Sequence, residues 1–388
     1  MLPTVKIGPR GVGWAQAGHL WIYRSDVLDA RAAKGGAIVR VCDPRGRFVA
    51  QAWYSDSSEI SLRLLTLRDE KIDREWWRGR LRAALQRRAG LETVADAYRL
   101  VYSEGDLLPS LIVDRYADVL VIQTLAQGSA AYQRLFVDLL AEELQPRAII
   151  ERNDVPVRKF EGLPLQNSVV YGDAPEMLEI VQHGTRFMVT PLGGQKTGAF
   201  LDQRENHQAA RRHASGKALD CFTCNGGFAL TVAPVCESVL GLDISEDAVA
   251  AAQRNAALNN AANVEFRAAN VFDALREFTD SGAKFDTIIL DPPAFAKNRA
   301  SLQGAVRGYK EINLRALKLL NAGGTLITCT CSYHLNEPLF IETVTAAAAD
   351  AGRRVQLLEK RAQANDHAIL LGVPESHYLK CLILRVLE

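Results

Sequence analysis

The pattern of hydrophobic and polar positions changes character along the chain. Over residues 36–66 apolar and polar residues alternate, as in half-buried strands, with a turn signal at Asp43-Pro44-Arg45-Gly46. From residue 69 large apolar residues recur near helical spacing, which marks a boundary close to residue 70. We therefore expect a small β domain over residues 1–70 and a central α+β domain over residues 71–184.

From residue 217 short apolar runs alternate with helical patterns, as in "KALDCFTCNGGFAL", "SVLGLDISEDAVAAAQRNAALNN" and "KFDTIILDPPAFAK". This alternation is typical of βαβ units, which build a parallel sheet with helices on both faces. The sequence therefore predicts an α/β domain over residues 185–388. Functional residues in such a sheet lie at the carboxyl ends of its strands.

Polar residues follow the first two predicted strands of this sheet. The loop from Thr223 to Gly227 opens a helix whose unpaired N–H groups can bind an anion, or it is a plain tight turn. Because it lacks the full G-x-G-x-x-G pattern, a nicotinamide cofactor is disfavoured. Asp243 ends the second strand, where a carboxylate can accept hydrogen bonds from two ribose hydroxyls. Its alternative role is to cap the next helix, for which Ser245 is the better candidate.

The third and fourth strands end at Asn270-Val271 and at Asp291-Pro292-Pro293. The two prolines restrict the backbone and remove two donors, so the Asp291 carboxylate and nearby carbonyls can face a planar polar ligand. Phe295 could stack on a base there. A rigid turn is the alternative interpretation of this segment.

Two cysteines, Cys329 and Cys331, follow the last apolar run, in "ITCTCSYH". Residues two apart on a strand face the same way, but they cannot reach the geometry of a disulfide with each other. Each cysteine is therefore either a small core residue or a nucleophile.

Composition adds limits on location and on metal binding. The chain has 388 residues, of which 48% are hydrophobic, enough for two or three folded domains. It shows no signal-peptide pattern and no apolar run near the roughly 20 residues of a membrane span, so we expect a soluble cytoplasmic protein. The C-x-x-C of Cys221 and Cys224 has no second pair of ligands, so we expect no metal site.

Charge is unevenly distributed along the chain. Residues 1–90 contain 17 Lys and Arg against 9 Asp and Glu, although the net charge of the whole chain is only +1. Such an excess at one end suggests a polyanion, such as nucleic acid, as a partner. A solvated basic face is the alternative.

Several motifs carry a resemblance to a known family. "CFTCNGGFAL", "LDIS", "NVFDAL" and "DPPAF" resemble the motifs of class I S-adenosylmethionine-dependent methyltransferases, which have a Rossmann-like fold. "GQKTGAFLDQRENH", "GAVRGYKEINLRALKLLNAGG" and "TCSYHL" are similar to those of enzymes that methylate cytosine C5 in large-subunit ribosomal RNA. "HLWIYRSDV" resembles the N-terminal PUA domain of that family, and "LIVDRYADVLVIQ" resembles its central domain. The resemblance implies a PUA-like RNA-binding domain, S-adenosyl-L-methionine as cofactor and large-subunit ribosomal RNA as partner.

The resemblance also implies a role for each residue of the site. Cys331 would be the thiolate that adds to cytosine C6, and Asp291 would hydrogen-bond the pyrimidine around N3. Relatives often have a second cysteine just after the double proline, where this chain has Ala294, so another base would remove the C5 proton. Asn270 stands where relatives usually have Asp. The implied cofactor-binding residues are Phe200, Asp202, Gln203, Asn225, Gly226, Asp243, Ile244, Asn270, Val271 and Asp291.

Two other functions stay open at the level of sequence. Methylation of an exocyclic base nitrogen also suits Asp-Pro-Pro followed by an aromatic residue, and it would not need Cys331. A non-catalytic RNA-binding factor for ribosome assembly is the other alternative. The sequence does not show which cytosine is modified, or whether the substrate is naked RNA or an assembled particle. It also leaves open whether the protein forms a homodimer, and which group supplies the positive charge that a reactive thiol needs.

Overall fold

The protein is described by a computed structural model covering residues 2–193, 198–296 and 299–388. The chain divides into two compact units. The first comprises residues 1–180, 189–201 and 365–376, and the second comprises residues 181–188, 202–364 and 377–388.

The N-terminal part of the first unit is a six-stranded sheet of order β2-β6-β5-β4-β1-β3. Its elements are β1 (Thr4–Ile7), α1 (Pro9–Gln16), β2 (Trp21–Tyr23), β3 (Val27–Asp29), β4 (Ile38–Cys42), β5 (Phe48–Tyr54) and β6 (Ile60–Thr66). The antiparallel β4–β5 hairpin turns through Gly46 at φ 82°, as the turn signal in the sequence predicts. Inward-facing residues such as Val39, Ala52 and Leu62 form the core beneath this sheet.

The remainder of the first unit contains a five-stranded sheet of order β11-β10-β9-β8-β7. Its elements are α2 (Arg74–Gln86), β7 (Ala97–Tyr102), β8 (Leu111–Tyr116), β9 (Val119–Thr124), α3 (Gln127–Ala131), α4 (Gln133–Leu144), β10 (Ala148–Arg152) and β11 (Asn167–Gly172). Asp73 caps α2 by accepting a hydrogen bond from the Trp76 N–H. Trp77 of α2 stacks on Trp53 with ring centroids 5.1 Å apart, so the core of this part continues to β5.

A two-stranded ribbon follows, formed by β12 (Leu178–Gln182) and β13 (Thr185–Val189). His183 and Gly184 join its strands with positive φ values of 48° and 82°, as tight hairpin turns require.

The second unit contains a seven-stranded sheet of order β16-β15-β14-β17-β18-β20-β19. Its strands are β14 (Lys217–Cys221), β15 (Ser238–Asp243), β16 (Val264–Ala268), β17 (Phe285–Leu290), β18 (Leu320–Thr330), β19 (Val355–Arg361) and β20 (Lys380–Val386). Its helices are α5 (Arg204–His213), α6 (Gly227–Val232), α7 (Glu246–Leu258), α8 (Val271–Ser281), α9 (Leu302–Leu319) and α10 (Glu337–Asp350).

The first five strands of this sheet in chain order run parallel, whereas β20 is antiparallel to both of its neighbours. Central residues such as Leu219, Ile288 and Leu326 are fully buried, which explains the continuous apolar runs in the sequence. The expected α/β fold is therefore confirmed. The strand order reverses at β14, and ligands of doubly wound sheets bind at the carboxyl ends of strands next to such a reversal.

Among the residues that the structure describes, none of the helices combines the length and the apolar character needed to cross a bilayer. The division of the chain into domains at residues 70 and 184 stays a prediction.

Candidate active site

Four residues expected in the site lie at one edge of the second unit's sheet. Asp243 is the last residue of β15, Asp291 directly follows β17, and Cys331 directly follows β18. Asn270 lies two residues beyond β16. Because these strands are parallel neighbours, their carboxyl ends share one edge, and the structure brings the four residues to it.

The loop between β14 and α6 has an unusual backbone. Phe222, Cys224 and Gly226 have positive φ values of 65°, 51° and 87°. Two of these residues are not glycine, and such strain persists only where the surroundings hold it in place. The Cys224 N–H donates to Asp243, and Asn255 donates to the carbonyl of Asn225 over 3.0 Å. The loop is therefore held in a fixed shape beside the sheet edge.

Asp220, the penultimate residue of β14, was missed by the sequence analysis. Its Oδ2 accepts hydrogen bonds from the Thr223 hydroxyl and the Ala229 N–H, at 2.6 and 3.0 Å. Its buried Oδ1 has no hydrogen-bond partner among the described residues. Burial, together with the smaller effect of the charges of Asp291 and Asp243, raises the pKa of Asp220 to about 7, although the hydrogen bonds from Thr223 and Ala229 oppose the rise. A lone carboxylate within the last two residues of an otherwise buried apolar strand, just before the glycine loop, is the signal that could have identified it.

Asp243 is oriented by two backbone donors. Its Oδ2 accepts from Cys224 N at 2.9 Å and its Oδ1 accepts from Ser245 N at 3.0 Å. Ser245 is the N-cap of α7, as expected, because its hydroxyl accepts from Ala248 N. Each Asp243 oxygen keeps a second lone pair for a ligand hydroxyl. The next side chain, Ile244, is 72% exposed and offers an apolar surface beside that carboxylate.

Asn270 and Val271 have local structural roles at the start of α8. Asn270 is exposed, and its Oδ1 caps the helix by accepting from Phe272 N at 2.9 Å. Val271 is buried in the hydrophobic core of the second unit. An adenine contact from Val271 can therefore involve only its backbone.

The Asp291 carboxylate is held by a chain of side-chain hydrogen bonds that the sequence did not predict. Gln203 Nε2 donates to Asp291 Oδ1 at 2.9 Å, and Asn206 Nδ2 donates to Gln203 Oε1 at 2.7 Å. Arg361 Nε in turn donates to Asn206 Oδ1 at 2.9 Å. Gln203 and Asn206 are both buried, so water does not compete for their hydrogen bonds. These hydrogen bonds therefore fix the orientation of the Asp291 carboxylate.

The other two cofactor candidates in the "AFLDQR" motif, Asp202 and Phe200, lie outside this chain of hydrogen bonds. Asp202 is buried, and its Oδ2 accepts a hydrogen bond from the Tyr378 hydroxyl at 2.6 Å. Phe200 is half-buried and belongs to the first unit, so its expected contact with the cofactor stays a prediction.

A cluster of hydroxyl groups holds the backbone on both sides of Cys331. The Tyr309 hydroxyl lies 3.1 Å from Ser332 Oγ and accepts from the Thr330 hydroxyl at 2.8 Å. Ser332 Oγ also accepts from Ala296 N at 3.2 Å, which ties the segment after the double proline to the cysteine. Tyr309, Thr330 and Ser332 are fully buried, whereas Cys331 is partly accessible.

The two cysteines of "TCTCS" differ in environment. Cys329 is fully buried within β18 opposite Cys381 of β20, and burial raises its pKa well above that of a free thiol. It is therefore a core residue. Cys331 lies beyond the last residue of β18 and is half-buried, so its thiol is partly accessible.

Phe295 packs among other aromatic side chains at this edge of the sheet. Its ring packs against those of Tyr309, Phe272 and Phe222, with centroids 4.7, 6.0 and 6.4 Å away. It therefore belongs to an aromatic cluster that supports the segment after Pro293.

No group of three or more His, Cys, Asp or Glu side chains suited to a metal ion occurs within residues 2–193, 198–296 and 299–388.

Comparisons with known proteins extend this description. The model of a PUA-like domain matches residues 5–67, and that of a methyltransferase domain matches residues 212–370. The chain is 41% identical over 379 residues to ribosomal RNA large subunit methyltransferase I of Erwinia tasmaniensis, covering 95% of this chain and 96% of that protein. It is 42% identical over 377 residues to the protein of the same name from Shewanella amazonensis, covering 95% of each.

Solved structures support the fold. The crystal structure of SMU.776 complexed with SAH matches with a TM-score of 0.86 over 100% of both chains, at 18% identity. The SAM-dependent methyltransferase from Agrobacterium tumefaciens matches with a TM-score of 0.54 over 76% of this chain and 90% of that chain, at 15% identity.

Proposed function

Because the chain belongs to the ribosomal RNA large subunit methyltransferase I family, we propose that it methylates C5 of a cytosine in large-subunit ribosomal RNA. The methyl donor is S-adenosylmethionine. The observation that carries the proposal is a partly accessible thiol, Cys331, on the same sheet edge as the fixed carboxylate of Asp291.

The sheet edge fits the cofactor. Asp243 keeps lone pairs for two ribose hydroxyls, and the exposed Ile244 offers an apolar surface for adenine. The unpartnered Oδ1 of Asp220 suits a cationic group such as the ammonium of the methionine moiety, near Asn225 and Gly226. When bound, S-adenosylmethionine supplies an electrophilic methyl group on its sulfonium sulfur.

Cys331 acts as the nucleophile in this proposal. Its thiolate adds to C6 of the base, and the π electron pair of the C5–C6 double bond moves onto C5, conjugated through C4 with N3, which makes C5 nucleophilic. Asp291 hydrogen-bonds the pyrimidine around N3 and stabilises the adduct. C5 would take the methyl group as the S–CH3 bond of the donor breaks, which leaves S-adenosylhomocysteine. A base then removes the C5 proton, the C5–H electron pair re-forms the C5–C6 double bond, and the S–C6 bond breaks with its electron pair returning to Cys331. Ala294 cannot serve as that base.

The substrate base must leave its helix to reach this site. C5 of a paired cytosine is inaccessible to the sheet edge, so the nucleotide is flipped or already unpaired. The basic N-terminal section, residues 1–90, which includes the PUA-like match at residues 5–67, would hold RNA phosphates. Residues 71–184 would form the central domain. We place the reaction in the cytoplasm, where large-subunit ribosomal RNA is found.

Product analysis tests this proposal directly. The protein is incubated with labelled S-adenosylmethionine and unmodified large-subunit ribosomal RNA, and the digested nucleosides are identified by mass spectrometry. We expect label in 5-methylcytidine, and a loss of roughly 10³-fold or more in Cys331→Ala because the nucleophile is gone. Cys236→Ala, at a half-buried cysteine elsewhere in the second unit, is the matched control and should keep activity.

Other outcomes would separate the alternatives. Label in an N-methylated base, unaffected by Cys331→Ala, would replace the proposal with methylation of an exocyclic nitrogen. RNA binding without label, on naked RNA and on assembled subunits alike, would indicate a non-catalytic assembly factor.

We also propose that two copies of the chain associate through β11, the edge strand of the five-stranded sheet. The strand, "NSVVYG", has no charged residue or proline, the features that usually protect an edge from pairing, and Val169 and Tyr171 are exposed. Sedimentation velocity should show a dimer that Val169→Lys dissociates and Val235→Lys, at another exposed valine, does not. A monomeric native protein would refute the homodimer.

A further inference from the structure

Lys380 is a buried lysine at the start of an otherwise apolar strand. The strand β20 reads "KCLILRV", and the Lys380 residue is only 3% exposed. Burial lowers the pKa of this lysine, because it disfavours the charged ammonium. A buried lysine therefore needs nearby groups that stabilise its charge.

The hydrogen bonds of Lys380 lead to the cysteine loop. Its Nζ donates to the carbonyl oxygens of Ser332 and Tyr378, both at 3.0 Å. Ser332 is the residue directly after Cys331. An ammonium has three N–H donors, so two carbonyl acceptors leave one N–H for a further partner.

The register of β18 and β20 also places Lys380 next to the Cys331 loop. In the antiparallel pair of β18 and β20, Lys380 lies directly opposite Thr330, the residue before Cys331. The cysteine is thus flanked by one residue paired with Lys380 and by another whose carbonyl Lys380 binds. The negative charge of a Cys331 thiolate raises the pKa of Lys380, opposing the effect of burial. Because the attraction between two charges is mutual, the ammonium stabilises the thiolate equally.

Other charged and titratable groups also face this pair. Glu337, at the start of α10, raises the pKa of Lys380, and it pairs with Lys360 at 2.7 Å. Tyr309 of α9 is buried, and its pKa is raised by burial and by the charge of Cys331. Asp291 lies at the end of the neighbouring strand β17. A carboxylate near a thiol disfavours its thiolate form, whereas a cation such as the Lys380 ammonium favours it.

We infer that Lys380 is a positioning residue that holds the Cys331 loop through the Ser332 carbonyl and supplies positive charge that keeps Cys331 ionised for attack. This inference rests on the proposed function. It names the source of positive charge that the sequence left open.

The test measures the reactivity of Cys331 without methyl transfer. The native protein is alkylated with iodoacetamide over a range of pH, and the Cys331 peptide is followed by mass spectrometry. In Lys380→Met we expect the pH midpoint of Cys331 alkylation to rise by about one unit or more, which means a roughly tenfold lower alkylation rate at pH 7. Lys318→Met, which removes an exposed lysine from the last turn of α9, should leave the midpoint unchanged.

A second neutral variant guards against a folding defect. Lys380→Gln keeps amide donors for the two carbonyls while removing the charge, and it should raise the midpoint as Lys380→Met does. Lys380→Arg keeps the charge and should stay close to the native midpoint. An unchanged alkylation midpoint in either neutral variant, provided that the variant is folded, would overturn the inference.

Methyl transfer separates this inference from the proposed function. If native protein methylates cytosine, the rate in Lys380→Met should be low at pH 7 and recover toward the native rate as pH rises. An activity loss that is equal at every pH would assign Lys380 a purely structural role. Absence of any 5-methylcytidine from the native protein would refute the proposed function, while the alkylation midpoints would still decide the role of Lys380.

Discussion

Replacing Gln203 with leucine should slow methyl transfer while leaving the protein folded. Leucine has nearly the same volume but cannot donate to Asp291 Oδ1, which Gln203 Nε2 now binds at 2.9 Å. A hydrogen bond to a charged group contributes about 1.5–3 kcal/mol. At about 1.4 kcal/mol for each factor of ten, losing it in the transition state predicts a loss of about 10- to 150-fold in kcat/KM.

Initial rates over a range of ribosomal RNA concentrations would measure this effect. We expect the loss mainly in kcat, because Asp291 stabilises the adduct more than the free base. Asn206 keeps a second acceptor, the Ala362 carbonyl at 3.0 Å, so the stability cost should be modest. Gln253→Leu, the same substitution at an exposed position of α7, is the control. A folded Gln203→Leu variant with kcat/KM within twofold of the native value would refute the role assigned to the Gln203 hydrogen bond.

Three further predictions concern stability, each measured by urea unfolding. Burial raises the pKa of Asp220 from 3.8 to about 7, so the folded state keeps a proton that the unfolded state releases, and stability should fall as pH rises through that interval. Asp220→Asn should flatten this decline; an unchanged pH dependence would contradict the raised pKa. Gly241→Ala should lower the free energy of unfolding by about 1–3 kcal/mol, because the alanine Cβ would lie 2.4 Å from Phe266 Cδ1. An unchanged free energy of unfolding would show that the Phe266 ring can move. Tyr309→Phe should cost about 1–3 kcal/mol and lower methylation, since the hydroxyl makes two buried hydrogen bonds; full stability and activity would contradict this.

The strand ends show how far local sequence pattern reaches. Asp243, Asp291 and Cys331 were predicted to share one edge because alternating strands and helices imply a parallel sheet, and the structure has that sheet. The same reasoning placed Asn270 and Val271 at the end of the third strand, whereas β16 ends at Ala268 and Val271 is the first residue of α8. It could not show that Asn270 caps α8 or that Val271 is buried, because both depend on how the helix packs.

The sequence by itself determined the α/β class, the order of the polar strand ends and, through its motifs, the family. These follow from patterns within a few neighbouring residues, where periodicity and turn chemistry act. The tertiary structure alone decided which distant groups meet: Gln203 binds Asp291 across 88 residues, and Lys380 binds the Ser332 carbonyl across 48. Such contacts depend on strand order and register, which only the packing of the whole sheet fixes.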